Sequence, residues 1–491
     1  MRIITWLLAA LAAALYICTP LRDPDMWWHI TIGRWIVAHR DVPKIDLWNR
    51  FSDGSIFRAY SWSAEVVMAI ADRLGGAQAL MMLQLGLAIF FSIFVALALA
   101  KLAGNYAVGM ALAVGAILAC SNHFSLRPQV LTWILFLSCI LVADRIARGG
   151  ASVKSLLTLI ILGSFWANLH ITTCLGALAV ALWSVQGSSS GISLKRASIS
   201  TIAFLAGSFI TPYLGGEWLT FLYTGQHTID YSEIAEFKPP TIREPSLLLA
   251  SLTSIILIPT AFIRRTVPLT GQLLHCLIML CAGLLAVKFM PYGVLALYAL
   301  AANMWREYAA SSNNQATQSL NPITIWATAL ISLVLITVSG NKLLKAGLID
   351  TANVPVAAVD FIQAKNLPHP ILNDFNTGGY LMYRLSDPST GELKHKVPID
   401  GRTNINSEEI WSSQKAAMSG KPSWYDYIEK TQAETILWEQ EWPLGALLIL
   451  SPDWCRVFRT SPDKEEGFSV FVKRQYYESR KTELLSSDCA G

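Results

Sequence analysis

The residues with the most chemistry to offer form one short run, Arg22-Asp23-Pro24-Asp25-Met26-Trp27-Trp28-His29. Asp23 ahead of Pro24 marks a helix start, with the acid as N-cap and the proline in the first turn. Asp25 and His29 are then four residues apart and share a helix face. Acids so placed suit an acceptor hydroxyl that must lose a proton, which makes Asp23, Asp25 and His29 the candidate catalytic groups. Capping and the helix macrodipole account for acids at a helix start without any reaction. Two acids, a histidine and a tryptophan pair are more than capping needs. Trp28, Ile32, Trp35 and Ile36 form an apolar stripe that fits a helix lying in a membrane interface. A second short helix near 62–73, opening at Trp62 and carrying Glu65, closes the same loop, with Asp46 between the two.

Cations stand at other turns. Arg127 and His123 precede one apolar stretch, Asn168 and His170 form a tight turn, and Lys288 lies beside another. Glu236-Phe237-Lys238-Pro239-Pro240 sits in a longer loop. Cations there suit a phosphate that must leave. The candidate substrate-binding set is therefore Asp46, Trp62, Glu65, Arg127, Asn168, His170, Glu236, Lys238 and Lys288. Arg127 and Lys288 also fit the role of snorkelling anchors, and His170 that of a packed side chain.

The elements that must carry these groups are apolar. Of 491 residues, 53% are hydrophobic and 15% charged, where a soluble domain has about a quarter charged. A net charge of +4 with no basic run gives no case for nucleic acid. Scanning for roughly 20-residue apolar runs places about eleven spans. They fall near 3–20, 77–100, 106–121, 128–146, 155–166, 171–185, 198–212, 247–263, 269–287, 292–304 and 323–338. Residues 3–20 lack a small-residue cleavage site and read as an uncleaved first span.

Lys101, Arg145, Arg148, Lys154, Lys195, Arg196, Arg264 and Arg265 share one side, which the positive-inside rule makes cytoplasmic. The loops 22–76 and 213–245 and the tail then lie outside. The first of these loops carries seven acids against its basic residues. Residues 187–191 and 311–318 read as polar linkers on the cytoplasmic side. The expected organisation is a membrane domain, 1–340, followed by a soluble extracytoplasmic α/β domain, 341–491.

In that tail, strands are expected at 370–375, 396–400, 435–437, 447–450 and 468–473, with helices between them. A Gly378-Gly379 turn leads into one of those helices. Asp400-Gly401-Arg402 is turn chemistry, with Arg402 able to clamp a carboxylate. The tail binds an acceptor or packs on the membrane domain. Six of the eight cysteines fall in apolar segments, and Cys455 and Cys489 are able to pair outside the membrane.

The run Asp23-Pro24-Asp25-x-Trp27-Trp28-His29-Ile30, followed by Gly33-Arg34-Trp35-Ile36, Val42-Pro43-x-x-Asp46 and Ser61-Trp62, resembles a group of bacterial polytopic membrane proteins. Arg127-Pro128-Gln129, Trp166-Ala167-Asn168-Leu169-His170, Thr211-Pro212-Tyr213 and Glu236-Phe237-x-Pro239-Pro240 continue the likeness. Leu372-Asn373-Asp374-Phe375, Gly378-Gly379-Tyr380-Leu381 and Ile399-Asp400-Gly401-Arg402-Thr403 carry it through the tail. That group resembles GT-C superfamily glycosyltransferases, which take sugars from polyprenyl-phosphate carriers.

The resemblance implies an inverting glycosyltransferase of the bacterial cytoplasmic (inner) membrane and cell envelope. It implies a polyprenyl-phosphate-linked sugar as donor and an extracytoplasmic glycan, lipid or protein as acceptor. The essential acid of the first outer loop would be Asp23 or Asp25. Some relatives hold a divalent cation through these acids and others do not. Ile171 after His170, where a small residue is expected, and Phe237, where Trp is more typical, depart from the pattern.

Two further readings stay open. A transporter or flippase of a lipid-linked substrate should show ionisable groups deep in its spans or two related halves, and this chain keeps its acids away from span centres and shows no repeat. A non-catalytic member would use the tail as a binding module, although eleven spans exceed what an anchor needs.

Overall fold

The computed structural model describes residues 2–185, 187–188, 191–192, 194–226, 234–264, 270–311, 322–460, 467–484 and 489. Arg265 and the linker residues 312–318 lie outside the described residues, as do 227–233 of the loop 213–245. The described chain is mostly helical, with a small sheet in its C-terminal region, and it is a multi-pass membrane protein.

A helix covers each of the eleven apolar stretches. In chain order α1 (Arg2–Ile17) is followed by α2 (Pro24–His39), α3 (Trp62–Ala103), α4 (Tyr106–Cys120) and α5 (Pro128–Gly149). Next come α6 (Val153–Ala167), α7 (Thr173–Trp183), α8 (Leu194–Ser208) and α9 (Gly216–Gln226). Then follow α10 (Pro245–Arg264), α11 (Thr270–Leu285), α12 (Met290–Ser311) and α13 (Pro322–Ala346). Among the described residues five helices are long and apolar enough to cross a membrane on those grounds alone: α3, α4, α5, α12 and α13. The other apolar helices are shorter.

The chain divides into two compact units. One is built of Met1–Pro20, Met81–Leu219 and Asp230–Gly347, with a core of small and aromatic residues such as Ala88, Phe91, Trp133, Phe136, Trp166, Trp183 and Tyr292. The other joins Leu21–Leu80 and Thr220–Ile229 to Leu348–Gly491. The loop after the first apolar helix thus folds with the tail.

In this second unit α14 (Val356–Ala364), α15 (Phe375–Leu385), α16 (Glu408–Ser419), α17 (Trp424–Thr431) and α18 (Pro443–Leu450) surround one sheet. Its strands are Ile371–Leu372, Thr435–Glu439, Phe468–Lys473 and Trp454–Arg459 in spatial order. The first pair is parallel, the others antiparallel.

Several expectations for the tail are corrected here. Residues 447–450 belong to helix α18, because Pro443 starts a helix well and a short apolar run has no period of its own to mark it as a strand. Gly378 and Gly379 lie inside α15, which begins earlier at Asp374, whose carboxylate takes the N–H groups of Asn376 and Thr377. Residues 396–400 form no strand. Val397 instead bridges to Asn49 of the early loop. Cys455 and Cys489 are bonded to each other.

Helix α2 starts as its sequence dictates. Asp23 is the N-cap and accepts the Asp25 N–H at 3.0 Å, Pro24 follows in the first turn, and Arg40 ends the helix in the left-handed region. The expected interfacial placement is overturned. Met26, Trp27, Trp28, Ile30, Thr31, Ile32 and Gly33 are all buried, so α2 is covered by protein on almost every side.

Two close approaches make that possible. A β-carbon on Gly33 would overlap the Glu65 carbonyl of α3, and one on Gly379 would lie 2.5 Å from the Pro24 carbonyl. Trp27 packs between Tyr380 and Tyr383 of α15, with ring centroids 4.9 and 5.0 Å away. Arg34 donates to Asp72 of α3 at 2.7 Å and to the Tyr383 carbonyl at 3.1 Å, and the Tyr383 hydroxyl donates to Asp72 at 2.8 Å.

Below α2 lies a buried ion cluster. Arg402 donates from Nη1 to Asp46 at 2.7 Å, and from Nε and Nη2 to the two oxygens of Asp400 at 2.8 Å each. The Arg402, Asp46 and Asp400 side chains have no exposed surface. Trp48 and Phe57 present ring faces to the guanidinium at 5.6 and 5.0 Å. Removing the arginine leaves two carboxylates out of water with no cation, and losing one partner of a buried pair costs about 3–5 kcal/mol. Arg402→Ala should lower the unfolding free energy by that order. Thermal unfolding of purified protein checks it, and an unchanged midpoint would contradict the cluster's structural weight.

Candidate functional site

The expected site residues divide between the two units. Asp23, Asp25, His29, Asp46, Trp62 and Glu65 lie in the unit that contains the tail. Arg127, Asn168, His170, Glu236, Lys238 and Lys288 lie in the helical unit.

In the first group Asp25 is half-buried, and its Oδ1 accepts the Trp28 indole N–H at 3.0 Å. Asp23 serves as the N-cap. His29 Nδ1 lies 2.9 Å from Glu65 Oε1, and both side chains are buried. Trp28 lies against the His29 ring with centroids 3.5 Å apart. Glu65 Oε2 is buried without a partner. Burial lifts the Glu65 carboxyl well above the ordinary range, against the pull of Arg402. A carboxyl that holds its proton suits that buried place. Trp62 opens α3 one turn before Glu65. Asp46 is wholly enclosed by Arg402, Ser52 and the backbone N–H groups of Trp48 and Asn49. Its contacts hold the unit together.

In the second group three residues from separate turns meet. Arg127, the residue before α5, forms an ion pair with Glu236. Lys288 stands 3.3 Å over the Phe237 ring, and the Lys238 carbonyl accepts the Val287 N–H at 2.9 Å. Phe237 therefore supplies the aromatic face at the position where Trp was expected. Burial works to raise the Glu236 carboxyl, but Arg127, then Lys288 and His123, outweigh it and hold it below the usual range.

His170 lies close by. Burial, then Lys288 and Arg127, push its imidazole well down, so it is neutral near pH 7. Its Nδ1 accepts the Thr172 N–H at 3.3 Å. Asn168 is a tie between helices, donating to the carbonyls of Ser164 and Ile210 at 2.8 Å each. The arrangement is a cationic patch whose carboxylate comes from its own loop, and an anion such as a phosphate is what such a patch can hold.

Sequence reasoning did not single out Trp28 as a partner of Asp25, Arg34 and Asp72 as a clasp, or Asp400 and Arg402 as the base under α2. Only the Asp400-Gly401-Arg402 turn carried a visible signal, and its partner Asp46 is 356 positions away in the chain.

No protein-family model matches the sequence, and no curated protein sequence matches it. Solved structures do. The chain is similar to the Archaeoglobus fulgidus oligosaccharyltransferase in its apo form, at 13% identity over 95% of this chain and 74% of that one, with a TM-score of 0.52. It is also similar to the oligosaccharyltransferase AglB from Archaeoglobus fulgidus in complex with an inhibitory peptide and a dolichol-phosphate. That match has 12% identity, covers 99% of this chain and 77% of that one, and has a TM-score of 0.51. A third likeness is to the arabinofuranosyltransferase AftD from Mycobacteria, at 13% identity and a TM-score of 0.50, over 96% of this chain but 41% of AftD. At such identities the likeness is one of fold, shared with these oligosaccharyltransferase and arabinofuranosyltransferase structures.

The Glu65 acid has a consequence for pH. Below about 4.3, the free-glutamate value, folded and unfolded chains both hold its proton, and its contribution to stability is intact. As pH rises toward the higher folded value, only the unfolded chain releases the proton, and stability falls. Glu65→Gln keeps a hydrogen bond to His29 and removes the titration. Melting temperature against pH should therefore fall more steeply above pH 4 in the parent than in the variant. Parallel curves would mean that Glu65 is ionised in the folded protein.

Proposed function

We propose that the chain is an integral-membrane glycosyltransferase that moves a sugar from a polyprenyl-phosphate carrier to an extracytoplasmic acceptor. The observation that carries this reading is the fold, shared over nearly the whole chain with two kinds of glycosyl-transferring enzyme. The AglB structure held a dolichol-phosphate, which supports a lipid phosphate as part of the substrate here.

In this reading Asp25 accepts the proton of an acceptor hydroxyl as that oxygen attacks the anomeric carbon. The bond from the anomeric carbon to the phosphate oxygen breaks, and the lipid phosphate leaves with the electron pair. Attack from the face opposite the leaving group inverts the centre. Within the helical unit, Arg127 and Lys288 are cations of the kind that hold a phosphate, which would compete with Glu236 for Arg127. Asp23 and Asp25 are the carboxylates that would meet a divalent cation if the reaction uses one.

The tail and the early loop are assigned to the extracytoplasmic side of a bacterial inner membrane. The Cys455–Cys489 bond supports this, since disulfides persist in oxidising compartments. Protease added to intact spheroplasts should remove the tail. A tail degraded only after lysis would reverse the assignment.

Asp25→Asn and Asp23→Asn are the direct test of the chemistry. Each asparagine can keep the hydrogen bond its acid accepts, so folding and membrane insertion should persist. Transfer should be abolished, with Asp25→Asn costing about 10²–10⁴-fold as loss of a general base. The assay uses protein in nanodiscs with a panel of radiolabelled polyprenyl-phosphate hexoses and pentoses and a cell-envelope extract as acceptor. Transfer retained by both variants would remove these acids from the mechanism.

A further inference from the structure

Resting on the reading of Asp25 as the reacting acid, we propose that Gly401 and Trp28 are positioning residues for its carboxylate. The C-terminal segment would then be a working part of the acid site.

The geometry is specific. A β-carbon on Gly401 would overlap Asp25 Oδ1 and lie 3.2 Å from the Trp28 indole nitrogen. The Gly401 backbone is therefore a wall against which one carboxylate oxygen rests, while the Trp28 N–H donates to that same oxygen at 3.0 Å. The wall is fixed on both sides of the glycine. Asn406 Nδ2 donates to the carbonyls of Asp400 and Arg402, each at 3.1 Å. The Asp400 and Arg402 side chains are locked to each other, and Arg402 to Asp46.

Trp28 is confined as well. Gly379 leaves room beside its Cδ1, where a β-carbon would lie 3.3 Å away, and its other neighbour is the His29 ring held by Glu65. Between wall and indole the carboxylate has one oxygen assigned and its rotation limited. A capped helix start alone would leave that side chain to swing. Such preorganisation matters because a base displaced by about 1 Å can lose on the order of 10²-fold in rate.

Gly401→Ala asks the far end of the Asp25 side chain to move, while Trp28→Phe removes the donor and keeps most of the ring. Both are made in the full chain and compared with Asp25→Asn. Expected for each is a fall in kcat by about tenfold or more, with an unchanged KM for the polyprenyl-phosphate-linked sugar and an unchanged melting temperature. Independently of turnover, a hydrophobic carbodiimide, read by peptide mass spectrometry, should modify Asp25 several-fold more in both variants, with Asp46 and Glu65 unaffected. Parent-like kcat and parent-like labelling of Asp25 in both variants would overturn the proposal. Should Gly401→Ala fail to assemble, Trp28→Phe decides alone. Retained transfer by Asp25→Asn would instead defeat the reading of the acid, and the labelling would still judge the seat.

Discussion

The arrangement of this protein around its candidate acid depends on one guanidinium. Arg402 lies out of water between Asp46 and Asp400, and an isolated charge in such a place would be untenable. Three charge-assisted bonds and two aromatic faces make it tolerable. The cluster carries one positive and two negative charges, so the surrounding donors matter as much as the arginine. Ser52, Asn49 and the Trp48 backbone supply them to Asp46, and Asn49 to Asp400. A loop near one end of the chain and a turn near the other are thereby committed to a single geometry.

From that base the rest of the acid site follows by contact. The clasp of Arg34, Asp72 and Tyr383 joins three helices in the same unit, and Trp27 fills the space between two tyrosines. His29 and Glu65 join α2 to α3 through a buried contact. In the helical unit Arg127 and Lys288 meet at turns, where Glu236 and the Phe237 face are on hand for them, while Asp144 pairs with Arg148 and Arg306 within helices.

What could be read in the sequence was local. Asp23 and Pro24 announce the start of α2 by cap chemistry, and the apolar runs announce eleven helices by length and hydropathy. The strands expected at 435–437 and 468–473 were legible from their β-branched and aromatic content, and the first runs on to Glu439. What could not be read was remote. Nothing in the early loop says that its tryptophans face protein rather than lipid, because an indole suits either. Helix α18 carries too few residues for a period to declare itself, and the strand expected at 370–375 is only two residues long, 371–372. Asp46 and Asp400 look like ordinary turn acids until Arg402 is found between them.

The make-up of the second unit also sets an order of events during biosynthesis. Leu21–Leu80 emerges long before Leu348–Gly491, with most of the helical unit in between. At about 5–20 residues per second the early segment waits roughly 10–60 s for its partner. During that interval Trp27, Trp28, Ile30 and Ile32 have no cover. A helix rich in tryptophan suits the lipid headgroups as readily as a protein interior. A chain that stops just after Ala346 has its apolar helices complete and an acid with nowhere to sit.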